Sequence, residues 1–402
     1  MSAAATVAGG ARNRLPSAGE RRSALAFPDP WILVSALLLL ALGLLMVASA
    51  SIPIGADPRT GQGQPFYFLI RQSVFVLFGL LAAGVAYQIP MGRWRRAGPW
   101  LLAAAFGLLI LVLIPGVGRE VNGSIRWIGV GPINVQVSEI AKLFALIYMA
   151  GYLKRHGEEL QTADFKTSAL ALARPMAVLA VLAVLLLLEP DFGSVVVLMA
   201  TALGMVFLAG VNLWQFGALQ AGTAAVMAVL ILSSPYRQDR VLSFLSPWDD
   251  PFGKGYQLAQ SLIAIGRGEF FGVGLGQSVQ KLFYLPEAHT DFLFAVLAEE
   301  FGLIGVVAVI ALFMTLVWRA FKIARRAEDV GMEFSSYLAY GIGIWFGIQA
   351  LFNMGVNMGA LPTKGLTLPL MSYGGSSAVV MCVTLAVLLR IDGESRRGGY
   401  GE

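Results

Sequence analysis

Apolar positions in this chain come in long unbroken blocks, not in the alternation of a half-buried strand or the one-sided stripe of a surface helix. The first block, 31–50, is apolar throughout and long enough to cross a bilayer. Further blocks fall near 67–87, 99–116, 138–153, 170–188, 193–211, 213–233, 291–318, 334–356 and 373–390. Backbone polar groups cannot face lipid unpaired, so each block predicts a helix. The pattern predicts an all-α integral membrane protein with about ten transmembrane helices. The fifth and sixth blocks are separated only by Glu189-Pro190-Asp191-Phe192, which predicts a tight helical hairpin. A secretory signal peptide fits the first block poorly, despite Ala48-Ser49-Ala50. Its apolar core is too long and the polar arm before it, 1–30, too extended. Arg21-Arg22 is only a weak match to a twin-arginine signal.

Charge orients these helices. With the N-terminus inside, the cytoplasmic segments are 1–30, 88–98, 154–174, 212, 319–333 and 390–402, and they hold 18 of the 29 Lys and Arg. Both termini are then cytoplasmic, as the positive-inside rule requires, and the span count must be even. The expected organisation is a cytoplasmic arm at 1–30, a ten-helix membrane domain at 31–390 and a cytoplasmic tail at 391–402. Segment 234–290 becomes a large external loop between spans seven and eight. It carries five basic residues, an amphipathic stretch near 257–266 and a glycine-rich run near 268–276. No internal repeat of the kind that builds rocking transporters is evident.

Composition narrows the class. Hydrophobic residues make up 57% of the chain and charged residues 13%, about half the share of a soluble domain. Mean hydropathy is +0.72. A cytosolic globular enzyme, a disordered chain and a coiled coil are excluded. The single cysteine excludes an internal disulfide framework and a thiolate zinc site, and two histidines leave little room for a His-based metal centre. The net charge of +5 belongs to cytoplasmic loops rather than to nucleic-acid binding.

Ionisable residues in or beside membrane spans are functional candidates by default. Asn122-Gly123-Ser124-Ile125-Arg126-Trp127-Ile128 leads into Gln136-Val137-Ser138-Glu139-Ile140-Ala141-Lys142. Glu139 and Lys142, three apart, can form a structural pair, or Lys142 can join Arg126 in a cationic site for an anionic headgroup. Arg237 and Arg240 lie at the outer surface, where they either snorkel to lipid phosphates or recognise phosphate. The densest segment is Leu285-Pro286-Glu287-Ala288-His289-Thr290-Asp291-Phe292, running on to Glu299-Glu300. Thr290 is a candidate helix N-cap with Asp291 in the first turn. Three acids in one outer half-span also suit a general base or a metal-binding carboxylate. Glu299 and Glu300 have a further reading as buried partners of basic residues. Pro362-Thr363-Lys364-Gly365-Leu366-Thr367-Leu368-Pro369-Leu370-Met371-Ser372-Tyr373-Gly374-Gly375-Ser376-Ser377 is too rich in Pro and Gly for regular helix and can line a cavity at membrane depth. Ser376 and Ser377 are candidate caps for the tenth helix. Cys382 fits a buried small side chain.

The segments 285–292, 362–369 and 372–377 together resemble the SEDS family, the shape, elongation, division and sporulation proteins of bacterial cell-wall synthesis. The resemblance runs from the first span to Arg390, and Pro-Thr-Lys-Gly-Leu-Thr is closer to the division member than to the elongation member. Val137 and Glu189 depart from the family, where proline and glutamine are more usual. The resemblance implies a peptidoglycan glycosyltransferase of the bacterial cytoplasmic membrane, acting at the division septum. It would polymerise lipid II into β-1,4 glycan strands on the outer face, beside a class B penicillin-binding transpeptidase and other division membrane proteins. Asp291 matches the family's essential loop aspartate, which would deprotonate the acceptor's 4-hydroxyl or hold a divalent cation, Mg²⁺ or Mn²⁺. Arg126, Lys142, Arg237, Arg240 and Lys364 are then candidates to neutralise the undecaprenyl pyrophosphate leaving group. Glu139, Glu287, His289, Thr290, Glu299, Glu300, Ser372, Ser376 and Ser377 would support the site. Positive-inside counting independently puts Asp291 on the external side. Rival expectations are a flippase of lipid-linked precursor, an elongation polymerase and an inactive division scaffold.

Overall fold

The computed structural model describes residues 28–58, 63–121, 123–131, 133–162, 164–363 and 365–398. Twelve helices are found among them: α1 (Pro30–Ala56), α2 (Tyr67–Gln88), α3 (Met91–Leu113), α4 (Val137–Gln161), α5 (Phe165–Leu188), α6 (Phe192–Leu208), α7 (Leu213–Leu232), α8 (Pro235–Leu245), α9 (Tyr256–Gly268), α10 (Leu293–Asp329), α11 (Glu333–Asn357) and α12 (Gly375–Arg396). Each apolar block of the sequence lies on one of these helices. Eight are long and apolar enough to cross a membrane: α1, α2, α3, α5, α7, α10, α11 and α12. Helix α6 is apolar but has 17 residues. Helix α4 carries Glu139 and Lys142 in its first turns. Most of the expected arm at 1–30, the end of the tail, Asn122 and Lys364 lie outside the described residues.

Helix starts follow local chemistry. Asp29 precedes Pro30 at the first helical position and accepts hydrogen bonds from the N–H groups of Trp31 and Ile32. Asp191 accepts from Ser194 N to begin α6, and Asn212 accepts from Trp214 N to begin α7. The three-residue link between α5 and α6, Glu189-Pro190-Asp191, forms the predicted hairpin.

The centre of the bundle is α11, flanked by α10, α4 and α6, with Phe334, Trp345 and Phe346 fully buried. Helix α12 packs along α2, and α1 along α10. Helix α7 stands at the periphery with only Gln215 buried. At one end of the bundle, Asp29 and Asp392 are fully buried and held by arginines. Arg319 and Arg396 pair with Asp29, while Arg326 and Arg396 pair with Asp392, at 2.6 Å and 2.9 Å. These bonds tie the start of α1 to the ends of α10 and α12.

The expectation of an all-α protein fails between α3 and α4. Strands β1 (Gly118–Val121), β2 (Ser124–Val130) and β3 (Ile133–Gln136) form a three-stranded antiparallel sheet in the order β1-β2-β3. Trp127 pairs with Arg119 on one side and Gln136 on the other. Isoleucines and a tryptophan spaced among polar residues, with Gly123 at positive φ in the first turn, suit a hairpin rather than a helix. Within the expected loop 234–290 stand α8 and α9, and the amphipathic stretch near 257–266 lies on α9.

Thr290 does not cap the eighth predicted span. The helix begins at Leu293 after Phe292, so Asp291 lies before the first turn, in a run of turns. Ser376 and Ser377 are likewise not caps, because Gly374 precedes α12 and no side chain caps it. Within α10, Gly302 leaves helical geometry at φ 62° and ψ −159°. A Cβ there would lie 2.4 Å from Gly272 N, so only glycine permits this backbone crossing with segment 268–272.

Candidate active site

Segments 285–292 and 362–377, sheet residues 123–136, the α5–α6 link and α8 converge on one open cavity of about 1170 Å³. Asp291 lines it with Glu287, His289 and Thr290 from its own segment. Across from these stand Arg126 of β2, Asp191 of the α5–α6 link, and Arg237 and Arg240 of α8. Arg71 of α2 and Tyr373 contribute another wall. Thus the sequence motifs, separated by up to about 250 residues, share a single space.

The carboxylate of Asp291 makes no ion pair or hydrogen bond with a described residue, although its backbone carbonyl is well held. Burial pushes its pKa up from the usual carboxylate range to about 7. The nearby acids Glu287 and Asp191 act in the same direction, and Arg126 and Arg240 oppose them. A carboxylate balanced near neutrality suits proton transfer. Thr290 Oγ1 donates to Glu287 Oε2 at 2.7 Å, which orders the turn before Asp291. His289 packs against Phe68 and Tyr373 with ring centroids 4.7 Å and 5.4 Å away. Burial pushes its imidazole pKa below the usual value.

The cations differ from one another. Arg126 sits 3.9 Å from Asp191 and is part-exposed to the cavity. Arg240 donates to Thr363 O at 3.1 Å, and Arg237 donates to Leu230 O at 2.8 Å while lying over the Phe192 ring. These backbone and ring contacts hold guanidinium groups on the cavity wall, where planar donors match phosphate oxygens. Lys142 is a correction. It is 1% exposed, bonds Glu139 at 2.8 Å and Gln349 at 3.1 Å, and does not reach the cavity. A buried, paired ammonium is a structural cation. Glu139 is its partner and shares that role.

Glu299 and Glu300 also leave the site. Glu299 accepts from Ser278 Oγ at 2.5 Å and Val279 N at 3.1 Å, and pairs with Arg267 at 3.1 Å. Glu300 accepts from Ser49 Oγ at 2.6 Å and pairs with Lys281 at 2.7 Å. They fasten segment 267–281 to α10 and α1, the buried-partner reading of these acids. Ser376 Oγ accepts from Gln136 N and donates to Asn134 O, joining α12 to β3. Ser372 Oγ accepts from Leu368 N. Only Ser377, 3.3 Å from Thr367 Oγ1, lines the cavity among the three serines.

Sequence reasoning passed over Asp191, Arg71, Asn353 and Asn357. Asp191 was visible only as a hairpin residue. Both asparagines stand in an apolar span, where an amide is costly unless it is bonded, and that was the available signal. Among the described residues no group of three or more His, Cys, Asp or Glu forms a cage for a metal ion.

Residues 30–397 match the model of the cell cycle protein family that groups FtsW, RodA and SpoVE. The chain is 56% identical to a probable peptidoglycan glycosyltransferase FtsW of Thioalkalivibrio sulfidiphilus, over 92% of this chain and 91% of that protein. It is 51% identical to a protein of the same name from Coxiella burnetii, covering 92% and 98%. The fold is similar to a solved peptidoglycan synthase complex described as coordinating polymerization and crosslinking, with a TM-score of 0.73, 30% identity, and coverage of 94% and 100%. It is also similar to the rod shape determining protein RodA of Thermus thermophilus, with a TM-score of 0.67, 28% identity, and coverage of 94% and 99%. The shared motifs, the match over nearly the whole chain and the common fold agree: this chain belongs to the FtsW/RodA/SpoVE family of cell cycle proteins, the SEDS family.

Proposed function

We propose that this chain polymerises lipid II into β-1,4 glycan strands at the outer face of the bacterial cytoplasmic membrane, in septal wall synthesis. It is a peptidoglycan glycosyltransferase, and the observation that carries the reading is Asp291 lining one cavity with Arg71, Arg126, Arg237 and Arg240. Its placement rests on ten spans with both termini cytoplasmic, a 31–390 membrane domain, and the 234–290 segment outside.

The chemistry is a displacement at the anomeric carbon of the growing strand. The acceptor's 4-hydroxyl oxygen forms a bond to that carbon as the bond to the pyrophosphate oxygen breaks. Asp291 takes the hydroxyl proton, and its pKa of about 7 lets it do so near neutral pH. Charge builds on the departing pyrophosphate, and Arg126, Arg237 and Arg240 are positioned to stabilise it. Lys364 is a further candidate from its neighbourhood in the sequence. A divalent cation, Mg²⁺ or Mn²⁺, would neutralise pyrophosphate charge. Holding that cation is the alternative role for Asp291, with Glu287 beside it in the cavity, and it excludes service as the base at the same time.

A class B penicillin-binding transpeptidase and other division membrane proteins are the proposed partners. The flippase reading lost its main support in Glu299 and Glu300, whose charges are paired locally rather than lining a path. The test supplies purified protein and its transpeptidase with lipid II. Glycan strands on a gel are expected. Lipid scrambling without strands would favour the flippase and overturn the proposal.

A further inference from the structure

Helix α11 carries Gln349, Asn353 and Asn357, four residues apart and therefore on one face. All three are buried, at 0%, 2% and 0% exposure. Their amide donors all reach loop carbonyls. Gln349 Nε2 donates to Thr367 O at 3.1 Å. Asn353 Nδ2 donates to Leu366 O at 2.6 Å and to Asp291 O at 2.9 Å. Asn357 Nδ2 donates to Asp291 O at 2.9 Å, and its Oδ1 accepts from Ala295 N at 3.1 Å in the first turn of α10.

The two loops joined by these bonds meet at the acid. A Cβ added at Gly365 would lie 3.3 Å from Asp291 Oδ2. The top rung has its own support. Lys142 Nζ and Trp345 Nε1 can only donate, and both donate to Gln349 Oε1, at 3.1 Å and 2.8 Å. That fixes the amide's orientation and leaves its NH₂ for Thr367. The buried Glu139–Lys142 pair therefore reaches the cavity loops through Gln349.

We infer that Gln349, Asn353 and Asn357 are positioning residues, a ladder of amides that sets Asp291 against the 365–367 segment for proton transfer. The inference rests on reading Asp291 as the catalytic acid–base group. Losing a rung moves the Asp291 carboxylate relative to the sugar hydroxyl. A misplacement of about 1 Å costs roughly 10²-fold in rate. The amides do not touch substrate, so KM stays as it is.

The experiment measures kcat and KM for lipid II polymerisation by the full chain with its transpeptidase partner. It compares wild type, Asn353→Ala, Asn357→Ala, Gln349→Ala and Asp291→Asn, each normalised to folded, monodisperse protein. Asn353→Ala and Asn357→Ala are expected to lower kcat about 10- to 100-fold with unchanged KM, and Gln349→Ala less. If the alanine variants do not fold, Asn353→Asp and Asn357→Asp keep the shape and exchange donors for acceptors, with the same fall in kcat expected. Lower yield or melting temperature with full kcat per folded molecule in both asparagine variants would overturn the ladder. An active Asp291→Asn would instead overturn the underlying reading of the site.

Discussion

Asp291 and the pair Glu299–Glu300 stand eight and nine residues apart in sequence, yet they live in opposite electrostatic conditions. Glu299 and Glu300 are fully buried, and each has an ion-pair partner and hydroxyl or N–H donors. Asp291 is lodged beside two further acids with its carboxylate facing open cavity, and its pKa rises to about 7. The comparison separates charge that holds a fold from charge kept ready for chemistry. The first kind is compensated locally. The second has no ion-pair partner among the described residues and lines a space a substrate can fill.

The largest expected effect is loss of strand synthesis in Asp291→Asn, by about 10³-fold or more, since the amide cannot take the proton. Arg126→Ala and Arg240→Ala follow, each lowering kcat by about 10²-fold through lost charge stabilisation. Steady-state polymerisation rates at matched protein levels check both. Acidity comes next. Ionised Asp291 is the active form, so kcat/KM is expected to climb as pH rises through about 7 and to level off above it. An acid limb centred near the ordinary carboxylate value would show an unperturbed base.

On the structural side of the comparison, Glu300→Gln strands Lys281 beside an uncharged partner. It is expected to destabilise the fold by about 3 kcal/mol while leaving the per-molecule rate nearly intact. Thermal unfolding in detergent alongside the strand assay separates the two. The smallest effect is expected of Glu189→Gln. Burial raises that carboxyl's pKa to about 8, and neither oxygen has a hydrogen-bond partner. It is mostly protonated at neutral pH, so an amide of the same shape replaces it with little change in melting temperature or rate.

The helices were legible because a bilayer leaves so few ways to satisfy a backbone. Asp291, Arg126, Arg237 and Arg240 were legible because charge near a membrane span is conspicuous. The sheet at 118–136 was missed because short hairpins leave a weaker trace than 20-residue apolar runs. Lys142 was misassigned because spacing along one helix reveals the Glu139 pair but not Gln349, 207 positions away, which completes its shell. Thr290 failed as a cap because its hydroxyl is bonded back to Glu287 and the run of turns continues to Phe292, so the helix begins only at Leu293. Asn353 and Asn357 look like ordinary polar residues in a span until the loop carbonyls they hold are known.

The central claim concerns the proton acceptor, and one gel addresses it most directly. Wild type and Asp291→Asn, each with the transpeptidase partner and lipid II, are run side by side for glycan strands after equal folding is verified. Strands from wild type and none from Asp291→Asn are predicted. Undiminished strands from the variant would contradict the assignment of Asp291 as the catalytic base.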